Sequence, residues 1–97
     1  MACKYISTYN RPNTDVEFFP PDMPLEASHA FRVEFGITVE KTYSEDQLQL
    51  IVEFTFPTKN IYLDWKNEMG PRWLACNFLD WLYDNNIAAT HETIENT

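Results

Sequence analysis

The sequence predicts an α+β fold. The expected architecture is an antiparallel sheet with a long central hairpin, two C-terminal helices packed on one of its faces, and a possible last strand. Three observations lead there. Phe31, Val33, Phe35, Ile37 and Val39 alternate with non-apolar neighbours, and Leu48, Leu50, Val52, Phe54 and Phe56 repeat the pattern in the next run. Such alternation marks strands with one buried side. Between the runs lies Ser44-Glu45-Asp46-Gln47, a polar turn, and after Pro57 the apolar spacing lengthens from that of a strand to that of a helix.

Taken in chain order, Lys4 to Tyr9 is rich in Tyr, Ile and Thr and suits a strand. Asn10-Arg11-Pro12-Asn13-Thr14 is a turn cluster, and Asp15 to Phe19 suits a second short strand, so residues 1–30 are expected as a hairpin plus a proline-rich arm. Pro20, Pro21 and Pro24 forbid a regular helix or a central strand there. Leu25 to Ala30 has room for one helical turn. The central hairpin, about 31–43 and 47–56, is expected to turn at Glu45-Asp46, which pairs Tyr43 with Leu48, Val39 with Val52, Ile37 with Phe54 and Phe35 with Phe56. A shift of one residue would turn one strand's apolar set toward water. Thr58 is placed to cap a helix of about 58–69 that carries Ile61, Tyr62, Trp65 and Met69 at helical spacing. Gly70-Pro71 reads as the end of that helix and the start of another, about 71–84, with Leu74, Phe78, Trp81 and Leu82 on one stripe. Asp84-Asn85-Asn86 is a turn, and residues 87–94 form the last strand.

Size and composition bound the function. The 97 residues suffice for one domain with one core, and 44% apolar with 15% aromatic content argues against disorder. The net charge is -8, from 15 acids and 7 bases, which disfavours nucleic acid and anionic membrane as partners. No stretch approaches the roughly 20 apolar residues of a membrane span, and the first residues lead into no secretory apolar region, so a cytoplasmic protein is expected. Cys3 and Cys76 have no metal-ligand spacing, and reduced thiols are expected.

The order of strand, crossing, long hairpin, helices and strand over about residues 31–94 resembles that of the dimeric ferredoxin-like α/β-barrel proteins. That resemblance implies a homodimer and a pocket between sheet and helices. This chain departs from the pattern at the front, where the family has a first helix and Arg11-Pro12 through Pro24 stands here. The segment Ile6-Ser7-Thr8-Tyr9-Asn10-Arg11-Pro12-Asn13-Thr14-Asp15-Val16-Glu17-Phe18-Phe19 is similar to the opening of small uncharacterised marine phage proteins, which implies an origin and no activity.

Six residues are candidates for a ligand site. His29 and His91, the only histidines, have the chemistry of a general base or a metal ligand, but neither has a second ligand at a recognisable spacing, and no metal site is expected. Trp65, Trp73 and Trp81 lie on consecutive helical stretches, where they suit a pocket wall, a subunit contact or an ordinary core; Tyr62 and Tyr83 extend the set. Arg11 in its rigid turn suits a carboxylate, from a ligand or from the protein's own acids. Cys76 reads as a buried inert thiol, and Asp80 with Asp84 as a solvated pair. The two glycines belong to no phosphate loop, no serine-hydrolase motif is present, and no cofactor is expected. The expected function is that of a non-enzymatic homodimeric accessory or interaction protein. The alternative is a small cofactor-free enzyme or ligand binder using His29 or His91 with an aromatic wall. A third reading is an acidic nucleic-acid mimic using Glu34, Glu40 and Glu53 on the outer sheet face and Asp46 at the tip.

Overall fold

The computed structural model describes residues 2–95. Its elements are β1 (Cys3–Asn10), α1 (Leu25–Phe35), β2 (Thr38–Tyr43), β3 (Gln49–Phe56), α2 (Lys59–Ala75), α3 (Phe78–Asp84) and β4 (Ala88–Glu95). The four strands form one sheet in the order β2-β3-β1-β4, every neighbouring pair antiparallel. Cys3, Tyr5, Ser7 and Tyr9 of β1 share a face with Leu50, Val52, Phe54 and Phe56 of β3, and the helices cover that face. The core has two lobes. Tyr9, Phe18, Leu50, Val52, Phe78, Leu82 and Ile87 make one. Cys3, Ile37, Phe56, Tyr62, Trp65 and Met69 make the other. Phe54 and Trp73 pack against both.

The hairpin is shorter than its alternation suggests, because residues 31–35 belong to α1. Phe31 and Phe35 satisfy a strand's period of two and also stand four apart on a helix. Their rings lie 4.5 Å apart between centroids, and Phe31 meets Trp65 edge-on at 5.6 Å. The helical reading wins because it packs both rings, half-buried, against the second core lobe, at the cost of leaving Val33 68% exposed. Gly36 ends α1 in the left-handed region at φ 68°, and the Ile37 N–H returns to the Arg32 carbonyl at 2.9 Å.

The register of β2 on β3 is two residues away from the expected one: Tyr43 faces Leu50 and Val39 faces Phe54. The tip is longer than a two-residue turn because Asp46 organises it. Its carboxylate accepts from the Ser44 hydroxyl at 2.6 Å and the Leu48 N–H at 3.0 Å, while Gln47 takes φ 64°. Both hydrogen bonds hold the Asp46 carboxyl below its ordinary pKa. A shift of two keeps each residue on its side of the sheet, so the buried face matches the expectation even though the partners do not.

The helical region divides at a different place from the one expected. α2 runs through Gly70 and Pro71, and the break comes at Asn77, left-handed at φ 59°. The Trp65, Met69, Trp73 stripe continues across Gly70-Pro71, so packing carries the helix past its sequence punctuation. Thr58 caps α2 as expected, accepting from the Ile61 N–H at 3.2 Å. β4 matches the expected last strand within one residue.

The front of the chain holds two corrections. Asp15 to Phe19 forms no strand; residues 11–24 carry no regular element and cross the end of the sheet as a strap. α1 follows it as an 11-residue helix where one turn was expected, so the first helix of the ferredoxin-like pattern is present after all. The strap packs against the sheet and α3 of the same chain. Phe18 is buried, Phe19 meets Phe78 and Tyr9, and the Arg11 guanidinium lies 4.3 Å from the Phe18 ring centre.

Among the described residues no layer covers the other sheet face. One row across it reads Thr42, Ile51, Thr8, Thr90; the next reads Glu40, Glu53, Ile6, Glu92; a third reads Thr38, Thr55, Lys4, Ile94. The two central strands thus carry Ile6, Ile51, Thr8 and Thr55 around a Lys4–Glu53 ion pair of 3.6 Å, and the edge strands carry Glu40 and Glu92.

Candidate functional site

The helix-covered face of the sheet contains one polar cluster, built by the pairing of β1 with β4. Alternation puts Tyr5, Ser7 and Tyr9 on that face of β1, and the register puts His91 opposite Ser7 and Thr93 opposite Tyr5. Ser7 is only 2% exposed and its Oγ lies 2.8 Å from His91 Nδ1. A buried hydroxyl needs such a partner, since burying it unpaired costs about 1–3 kcal/mol. The Tyr5 ring stacks on the imidazole at 5.6 Å and 10°, and Tyr9 meets it edge-on at 6.1 Å. Tyr62 of α2 closes one end, 5.9 Å from Tyr5 between centroids, with its hydroxyl 3.3 Å from Thr93 Oγ1.

Burial sets the protonation of this cluster. It lowers the pKa of His91 from its ordinary 6.5, and it raises those of Tyr5 and Tyr9, against a smaller opposing effect of the Ser7 hydroxyl. Glu92 faces the other side of the sheet, as neighbours in a strand must. At neutral pH the cluster therefore holds a neutral imidazole and neutral phenols. With Nδ1 engaged by Ser7, Nε2 is the remaining nitrogen of an imidazole whose residue stays solvent-exposed. If Ser7 donates to Nδ1, Nε2 is a hydrogen-bond donor; if Nδ1 donates to Ser7, Nε2 is an acceptor and a base. The hydroxyl link thus lets one nitrogen serve either role.

The other sequence candidates lie elsewhere. His29 is exposed on α1. Trp65 is 1% exposed and walled by Phe31, Phe54, Phe56 and Trp73, with its Nε1 lacking a hydrogen-bond partner. Trp73 packs between the two core lobes. Trp81 donates from Nε1 to the Glu17 carbonyl at 3.0 Å and so ties α3 to the strap. Arg11 holds backbone carbonyls in place of the carboxylate expected: Nε donates to Gln47 and Nη1 to Val16, both at 2.8 Å. Cys76 donates to the Trp73 carbonyl at 3.2 Å and touches Met23 sulfur at 3.9 Å, and Cys3 is buried in the second lobe. Of the acids assigned to a mimic surface, Glu34 lies on α1 and Asp46 is engaged in its own turn, leaving Glu40 and Glu53 on the outer face. Ser7, Tyr5, Tyr9 and Thr93 were missed as site residues. The available signal was a lone serine on the apolar face of a Tyr-Ser-Tyr alternation. Among the described residues no group of three or more His, Cys, Asp or Glu could hold a metal ion, and no helix is long and apolar enough to cross a membrane.

Comparison with known proteins bears on the architecture. No protein family profile and no curated protein matches the sequence. Solved structures do match: a NIPSNAP family protein of Agrobacterium tumefaciens superposes with a TM-score of 0.62 at 12% identity, over 100% of this chain and 94% of that one. The fold is ferredoxin-like. A second NIPSNAP family protein of that organism, described as of unknown function, gives 0.58 at 18% identity over 99% of this chain and 88% of its own. The de novo designed protein Foldit4 gives 0.51 at 7% identity over the whole of both chains. That a de novo design shares the fold underlines that such a likeness speaks for architecture alone.

Proposed function

We propose that this chain is a homodimeric accessory or interaction protein whose subunits meet through the uncovered sheet face. The observation that carries this reading is the make-up of that face: Ile6 and Ile51 with Thr8 and Thr55 at the centre, one internally paired charge, and Glu40 and Glu92 at the edges. An apolar centre with a charged rim is the usual anatomy of a contact surface. A sheet of this width and strand length covers ~19 by ~26 Å, or ~500 Å² per subunit. Both sides together reach about 1,000 Å², the lower bound for a specific interface. The test is light scattering on wild type and on Ile51→Glu. The expected result is a concentration-dependent dimer that the substitution converts to monomer, while Leu63→Glu on the exposed side of α2 leaves it intact. A wild type that stays monomeric at high concentration overturns the reading.

The Ser7–His91 pair favours a second reading, a cofactor-free ligand binder. Aromatic walls and a neutral imidazole suit a neutral, ring-bearing ligand that hydrogen-bonds to Nε2. The expected result is a displaced His91 ring resonance on titration with simple phenols. A screen of neutral ring compounds that leaves the resonance unmoved sinks this reading.

A further inference from the structure

α3 carries more apolar surface than the fold uses. Phe78 and Leu82, 8% and 6% exposed, form its buried stripe. Leu79 and Tyr83, also four residues apart, lie ~100° further round the helix and are 59% and 85% exposed. Leu74, on the last turn of α2 before the bend at Asn77, is 64% exposed. Leu74, Leu79 and Tyr83 thus fall within ten residues of one helical corner, and none of them belongs to the buried core. Asp80 and Asp84 form the next stripe of α3. Two like charges at this spacing weaken a helix, and from residue 73 onward the sequence has four acids and no Lys or Arg. The nearest base, Arg72, is engaged by the Glu68 carboxylate at 2.9 Å and the Glu68 carbonyl at 2.6 Å.

From this juxtaposition we infer that the α2–α3 corner, through Leu74, Leu79 and Tyr83 flanked by Asp80 and Asp84, is a docking surface for a basic amphipathic segment of another protein. Leu79 and Tyr83, four residues apart on one side of α3, offer an apolar pair to the apolar face of an incoming amphipathic helix, with Leu74 exposed on the preceding turn of α2. The uncompensated aspartates select Lys or Arg on its flanks and repel anionic lipid and nucleic acid. This surface is separate from the sheet face proposed as the subunit contact, so the two readings fail independently.

The experiment uses the full chain and a synthetic 14-residue Leu/Lys amphipathic helix as probe, followed by amide chemical-shift mapping. The expected shifts fall within residues 74–84. Leu79→Ser with Tyr83→Ser weakens binding by about tenfold or more, as loss of apolar anchors does at other interfaces, and leaves the oligomeric state unchanged. Asp80→Asn with Asp84→Asn weakens it and flattens its salt dependence. Leu25→Ser with Val33→Ser, equally exposed on α1, leaves it unaltered. Shifts elsewhere, equal losses from the α1 variants, no binding, or a change in self-association on removing Leu79 and Tyr83 overturns the proposal.

Discussion

His91 is a titratable side chain whose protonation the fold opposes. Burial lowers its pKa, so the folded chain binds this proton less readily than the unfolded chain does. The stability this provides is fully present above the unfolded value near 6.5 and is lost as pH falls through the folded one. Between pH 7.5 and 5, wild type should therefore lose more stability to urea than His91→Gln; parallel losses would show that the imidazole is indifferent to its surroundings. The effect is modest, because the side chain keeps contact with solvent. Sequence alone made His91 a candidate but gave it no partner. Ser7 lies 84 residues away, and only the β1–β4 register joins the two.

At the scale of elements, the two glycines carry different expectations. Gly36 closes α1 at φ 68°, where an added Cβ would meet Pro57 Cγ at an ordinary 3.8 Å. The cost of Gly36→Ala is thus conformational, about 1–2 kcal/mol. Gly70 lies inside α2 directly before Pro71; beyond its chain neighbours and its own helix backbone a Cβ there meets nothing within 4 Å. The gain of roughly 0.5–1 kcal/mol that Ala brings to a helix interior is set against its clash with the proline ring, and Gly70→Ala should cost less than Gly36→Ala. Urea unfolding of both variants checks the pair, and a larger loss at Gly70 than at Gly36 would contradict the helix ends described above. The same glycines show why elements were harder to read than faces. Gly70-Pro71 has the local grammar of a boundary, yet the Trp65, Met69, Trp73 stripe overrides it. Phe31 and Phe35 fit both a strand and a helix, and only long-range packing, such as the contact of Phe31 with Trp65 far along the chain, decides between them.

At the scale of the whole molecule, the buried side of the sheet was legible because alternation survives a register shift of two, whereas the pairings of β1 were not, since they join distant segments. In the proposed dimer, a contact of about 1,000 Å² would sit where affinity depends on the quality of a few central side chains more than on area, which would place the weight of the contact on Ile6 and Ile51. The strand order also has a consequence in time. β1 is made first but lies inside the sheet, between β3 and β4. When Asn10 is complete, its partner Gln49 is still to come, and Ala88, on its other side, follows much later. At synthesis rates of ~5–20 residues per second, β1 waits about 2–8 s for β3 and longer for β4. A Tyr- and Ile-rich strand therefore spends its first seconds with both backbone edges unpaired, the period in which a nascent chain is most open to pairing with the wrong neighbour.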